Sequence, residues 1–140
     1  MNMITKSTVH TAFLVDDSEV DLFIQKKFIE LCSFAEKVVT FSSPIKALEA
    51  LQSAPYNDAP TLIFLDLNMP LLNGFEFLEK INSLSNGISK KIKVVILSSS
   101  NSPADRLRAK EFPNVINFFS KPLTMDGLQL LSESLEPREW

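Results

Sequence analysis

The chain has few of the residues that most often announce a specialised chemistry. Among its 140 residues there is one cysteine, one histidine and three glycines. A lone Cys32 cannot close an internal disulfide, and it falls in a helical pattern, so it reads as a small buried hydrophobe under reducing conditions rather than as a nucleophile. His10 precedes the first apolar run with no metal-ligating or nucleophilic companion and reads as a surface residue. Basic charge is also short. Lys and Arg number 14 against 17 Asp and Glu, a formal charge of -3 with a pI near 5.2, which argues against holding nucleic acid on a basic face. No apolar run approaches the length of a membrane span, and residues 1–7 lack the apolar core of a signal peptide. These absences predict a cytoplasmic chain without direct nucleic-acid or membrane contact. Internal repeats and low-complexity tracts are absent too. Length and a 45% hydrophobic content suit one domain, with a core over about residues 9–136 and frayed ends, and no second module after Leu135.

What is present is a set of short apolar runs that stop abruptly in polar residues. Leu62-Ile-Phe-Leu65 lacks polar alternation, the pattern of a strand buried on both faces of a parallel sheet, and it ends in Asp66. Ala12–Val15 ends in Asp16 and Asp17, with Ser18 placed to cap a helix. In that helix Val20, Ile24, Phe28 and Leu31 recur at helical spacing, which predicts that they face the sheet while Glu19, Gln25, Lys26 and Glu30 face water. Lys37–Phe41 reads as the second strand, and Ser43-Pro44 opens a helix with Ala47, Leu48 and Leu51 on its apolar side. Asn73-Gly74 precedes a helix bearing Phe75, Leu78, Ile81 and Leu84, which Asn86-Gly87 is expected to end. Ile92–Leu97 runs into Ser98, Ser102-Pro103 opens a sparsely apolar helix that Pro113 closes, and Val115–Phe119 leads to Lys121-Pro122. Thr124 caps a last helix with Leu128, Leu131 and Leu135. Five strands alternating with five helices predict a doubly wound, flavodoxin-like α/β fold. With the strand order 2-1-3-4-5, Asp16 and Asp17 would stand beside Asp66 at the topological switch.

Each of these residues alone has an ordinary explanation: an acid at a helix terminus, a lysine in a solvated loop, a serine ending a strand. Together, four segments bring an acidic pair, a further acid, a hydroxyl and an ammonium to one sheet edge. Clustered carboxylates repel unless a cation or raised pKa values hold them, and a hard divalent ion such as magnesium, which prefers oxygen ligands and phosphate, answers that need. With Lys121 adding positive charge and Ser98 a hydroxyl donor, Asp66 could serve as a carboxylate nucleophile for a phosphoryl group.

The constellation closely resembles the receiver domain of two-component response regulators, over about Val9 to Leu135. Its acidic pair is Asp16-Asp17, its phosphoacceptor segment Asp66-Leu-Asn-Met-Pro-Leu-Leu-Asn-Gly74, its hydroxyl residue Ser98 and its lysine-proline Lys121-Pro122. The resemblance implies a magnesium ion held by Asp16, Asp17, Asp66 and the carbonyl of Asn68, and an aromatic switch at Phe118 that moves inward when Ser98 engages the phosphoryl group. It also implies a histidine kinase or phosphotransfer protein as donor, a stand-alone signalling role through another protein, and no turnover of an external substrate. The departures are Ser98 and Ser99 where threonine and alanine are commoner, and Phe118 where other members carry tyrosine. Three rivals fit less well. A haloacid-dehalogenase-like phosphatase needs a second acid two residues after its nucleophile, where this chain has Asn68. A flavin module needs a glycine- and hydroxyl-rich loop where Asp16-Asp-Ser-Glu19 stands. A scaffold acting without phosphorylation would be expected to have lost Asp17, Asp66 or Lys121, and all three are present.

Overall fold

The computed structural model describes residues 8–84, 87–100 and 102–133. Its strands are β1 (Val9–Val15), β2 (Ala35–Phe41), β3 (Leu62–Leu65), β4 (Lys93–Ser98) and β5 (Val115–Ser120). Between and after them lie α1 (Glu19–Leu31), α2 (Pro44–Ser53), α3 (Gly74–Asn82), α4 (Pro103–Ala109) and α5 (Met125–Glu133). All strand pairs are parallel and the sheet order is β2-β1-β3-β4-β5, the expected winding. β3 is central and wholly buried. Its side chains alternate between two cores: Leu62 and Phe64 meet Leu22 and Ile29 of α1 and Leu128 and Leu131 of α5, while Ile63 and Leu65 meet residues of α2, α3 and α4. A continuous apolar run is the consequence, because each strand face must fill a separate core. Among the described residues, no helix is long and apolar enough to cross a membrane.

Serine and asparagine caps start the helices as expected. Ser18, Ser43 and Ser102 each accept from a backbone N–H three residues on, and Asn73 with Glu76 forms a reciprocal capping box. Three expectations are corrected. In α1 the buried stripe is Leu22, Gln25 and Ile29, whereas Val20 and Leu31 are 69% and 66% exposed and Ile24 and Phe28 only half-buried. Several apolar residues compete for the inward face here, and Gln25, expected on the wet side, turns in because it finds a buried partner. α3 ends at Asn82, four residues before the expected stop, because the N–H of Ser83 already bonds the carbonyls of Lys80 and Ile81. Asn86 lies outside the described residues, and Gly87, with φ 79°, instead opens a 3-10 turn over Ile88–Lys90. α4 ends at Ala109 rather than near Pro113, and the following turn stacks Phe112 on Phe75 with ring centroids 6.1 Å apart. Leu135 and the tail fall outside the described residues.

One irregularity matters for the site. The β4–β5 ladder slips between Val94 and Val95, whose partners are Val115 and Asn117, so β5 carries one extra residue there. The bulge breaks strict alternation: Val115 and Phe118 share one core, while Ile116 lies in the other. Phe118 is thereby aimed at the face covered by α4.

Candidate functional site

The backbone sets the acids in place before any side chain is considered. The N–H of Asp16 donates to the Phe41 carbonyl at the end of β2, and that of Asp66 donates to the Val15 carbonyl. The ends of β1 and β3 are thus stitched side by side, and carboxylate oxygens of Asp16, Asp17 and Asp66 lie within 4.8 Å of one another. On the far side, the N–H of Lys121 donates to the Ser98 carbonyl at 2.9 Å, fixing the turn after β5 against the end of β4, and the Lys121–Pro122 peptide is cis. Asp16, Asp17, Asp66, Ser98 and Lys121 therefore share one edge, as the strand order predicts.

Their environments differ. Asp66 is 4% exposed, and burial, reinforced by Asp16, pushes its carboxyl up to about 6 against the pull of Lys121 and the Asn68 N–H. Asp16 is equally buried yet fully engaged: its Oδ1 accepts from the Ser18 N–H at 2.9 Å, and its Oδ2 accepts from Gln25 Nε2 at 3.2 Å and pairs with Lys121 Nζ at 2.8 Å. Asp17 is exposed and faces solvent at the rim. Burial acts against the Lys121 ammonium, but hydrogen bonds to Asp16 and Asp21 outweigh it and hold the group firmly protonated, above its usual range. Lys121 Nζ stands 2.9 Å from Asp21 and 3.5 Å from Asp66 Oδ1. Ser98 is fully buried, and its Oγ accepts from the Ser100 N–H, leaving its hydroxyl hydrogen to donate.

The three acids suit a hard cation. An octahedral ion with bonds of about 2.1 Å sets opposite ligand oxygens about 4.2 Å apart, within the spacing observed here. The loop after Asp66 is held tight by Gly74, whose N–H donates to the Leu67 carbonyl; a Cβ there would sit 2.8 Å from the Asp66 carbonyl oxygen and from Leu67 Cα. At the loop's tip Leu71 adopts a left-handed φ of 69° and is 92% exposed.

Phe118 is 3% exposed and already inside, with the Arg106 guanidinium 4.7 Å from its ring centroid; Arg108 lies likewise over Phe75 at 4.3 Å. The arginines of α4 thus cover aromatic rings. Two residues of the site were not legible as such: Gln25, whose only signal is a polar residue at the register of Leu22 and Ile29, and Asp21, which the sequence marks only as a first-turn acid. Cys32 and His10 stand as read, one buried with its thiol pushed up by burial, the other exposed and paired with Thr11 and Glu36.

The five-stranded 2-1-3-4-5 sheet places the chain in the flavodoxin-like class of α/β proteins, and the acidic cluster at its switch point sets it apart within that class. Within that class this chain belongs to the response regulator receiver domain family, whose pattern matches residues 12–133. It is 33% identical over 125 residues to the two-component response regulator ARR17 of Arabidopsis thaliana, covering 84% of this chain and 78% of that protein. Among solved structures it resembles a two-component response regulator from Cytophaga hutchinsonii, with TM-score 0.79, 29% identity and coverage of 89% and 95% of the two chains. It also resembles the phosphorylated cyanobacterial phytochrome response regulator RcpA, with TM-score 0.69, 29% identity and 89% of each chain covered. Two further curated relatives are longer, the chain spanning 59% and 34% of their lengths. The chain is a receiver domain of two-component signalling, a family that works with histidine kinases or phosphotransfer proteins and typically binds Mg2+ at its acidic pocket.

Proposed function

We propose that Asp66 is the phosphoryl acceptor of this receiver and that it takes the group from the phosphohistidine of a histidine kinase or phosphotransfer protein. A carboxylate oxygen of Asp66 forms the new O–P bond as the P–N bond to the donor imidazole breaks, and the imidazole leaves with the electron pair. The observation that carries the reading is Asp66 itself: a carboxylate at the end of the central buried strand, raised to about 6 by burial and by Asp16, within 3.5 Å of a firmly charged lysine. Asp17, Asp66 and the Asn68 carbonyl would hold magnesium, with Asp16 contributing through water because its own oxygens are occupied by Ser18, Gln25 and Lys121. When bound, the ion neutralises charge on the phosphoryl oxygens. Lys121 adds a second positive charge, and the free hydrogen of Ser98 can donate to a phosphoryl oxygen.

Output runs through Ser98 and Phe118 to α4. Phe118 starts inside, so engagement of Ser98 changes what holds the ring rather than drawing it in from solvent, and α4 responds by presenting a different surface to a partner protein. We read the chain as a single receiver unit of the cytoplasm that signals by binding protein and turns over no external substrate, since Asn68 offers no general acid where a phosphatase needs one. The test is to weigh the intact protein after incubation with magnesium and acetyl phosphate. Wild type gains one phosphoryl group and Asp66→Asn gains none; equal labelling of the variant would overturn the assignment.

A further inference from the structure

Lys121 is bound on two sides, and the second side belongs to no part of the acidic triad. Asp21, in the first turn of α1, reaches across to Lys121 Nζ at 2.9 Å although the two residues are 100 positions apart in sequence. We propose that Asp21 is a positioning residue for Lys121: it holds the ammonium so that a single N–H remains directed at Asp66 and at a phosphoryl group carried there. The inference rests on the reading of Asp66 as the acceptor.

The number of donors on Lys121 decides how its charge is aimed. An ammonium has three N–H donors on a flexible four-carbon stem, so its direction is undefined until partners fix it. Here Asp16 Oδ2 takes one donor at 2.8 Å and Asp21 Oδ2 takes a second at 2.9 Å. The third faces Asp66 Oδ1 at 3.5 Å, longer than a hydrogen bond. A phosphoryl group on Asp66 extends its oxygens beyond the carboxylate and fills that gap, so the lysine can engage it without leaving Asp21.

Asp16 cannot do this work alone. Its Oδ2 is shared with Gln25, and it is one of the three acids whose oxygens lie together at the cation-binding edge. Any demand on Asp16 from that edge competes with its hold on Lys121. Asp21 stands outside the triad and has no such second duty. It is also accessible, with its side chain 37% exposed, and a small niche of about 20 Å³, enough for one water, is lined by Asp21, Lys121, Gln25 and Pro122. The anchor is therefore solvated and adjustable rather than locked in the core. A first-turn acid that served only the helix dipole would need no contact with Lys121.

The experiment measures the rate of phosphoryl gain from acetyl phosphate at saturating magnesium, by intact mass over hours. Asp21→Asn is expected to slow it about tenfold, the scale of effect that a slightly misplaced charged group produces. Asp21→Glu, which keeps the charge, should recover to within about threefold. The midpoint of magnesium binding should stay within about twofold in both variants, because Asp21 is not among the clustered acids. In a Lys121→Gln background, Asp21→Asn should have no further effect, since residues that act through one another are not additive. A wild-type rate in Asp21→Asn, or the same slowing with Lys121 already removed, would overturn the proposal. Labelling that survived in Asp66→Asn would instead remove the acceptor reading beneath it.

Discussion

α1 and α4 flank the same sheet edge but are secured by different forces. α1 is built into the site: Leu22 and Ile29 enter the core, Gln25 bonds the buried Asp16, and Asp21 grips Lys121. α4 sends only Ala109 into the core and otherwise rests on two arginines laid over Phe118 and Phe75. Burial of apolar area is strong and indifferent to small changes of charge, whereas a partly solvated guanidinium laid over the outer face of a buried ring contributes about 1 kcal/mol. The contrast teaches where movement belongs. Elements with little buried contact open at low free energy, and α4 is drawn from that class while α1 is not.

Shortening one side chain on each helix should separate the two most widely. Ile29→Ala, at a site with no exposure, should cost about 2–5 kcal/mol in urea unfolding, while Leu107→Ala on α4, 69% exposed, should cost less than about 0.5. Similar costs would show that α4 is anchored as firmly as α1.

A second difference lies in the charge at the strand ends. Asp66 titrates near 6 in the folded protein against an ordinary value of 3.8, so between those values the folded state keeps a proton that the unfolded state releases. Its contribution to stability therefore falls as pH rises through that window and is fully unfavourable above it. Without divalent cations, Asp66→Asn should be more stable than wild type by about 2–3 kcal/mol at pH 7.5, from two pKa units at about 1.4 kcal/mol each. The difference should vanish below about pH 4. Urea midpoints from pH 4 to 8 test this, and a gap that did not vary with pH would refute it.

The smallest effect is local. Arg106→Ala should lower global stability by no more than about 1 kcal/mol yet speed amide exchange across Pro103–Ala109, leaving α1 unchanged.

Much of this was legible because buried parallel strands write themselves as unbroken apolar runs. Leu62–Leu65 carries the pattern of a strand in the middle of a sheet, and the acid that ends such a strand falls at the sheet's edge. The site followed, since Asp16, Asp17, Asp66, Ser98 and Lys121 are all strand-end residues and the strand order alone brings them together. What escaped depended on competition between similar signals or on distance. α1 offers apolar residues on more than one face, and only a partner for Gln25 decides which turns inward. The end of α3 turned on whether its last turn closed at Ser83 or ran on toward a glycine. The β5 bulge is a one-residue slip that no composition marks, yet it determines which core receives Phe118. The Asp21–Lys121 contact joins residues whose only common property in sequence is opposite charge.

The lysine at the acidic edge also shapes the molecule as seen from afar. Asp16, Asp17, Asp21 and Asp66 with Lys121 carry a formal -3, the whole net charge of the chain, which leaves thirteen basic and thirteen acidic residues to balance everywhere else out of totals of 14 and 17. The edge is therefore a negative spot as large as the net charge of the chain, and its field is felt mainly within a Debye length of about 8 Å at physiological salt. Within that range a cation is drawn to the spot and an anion is repelled from it.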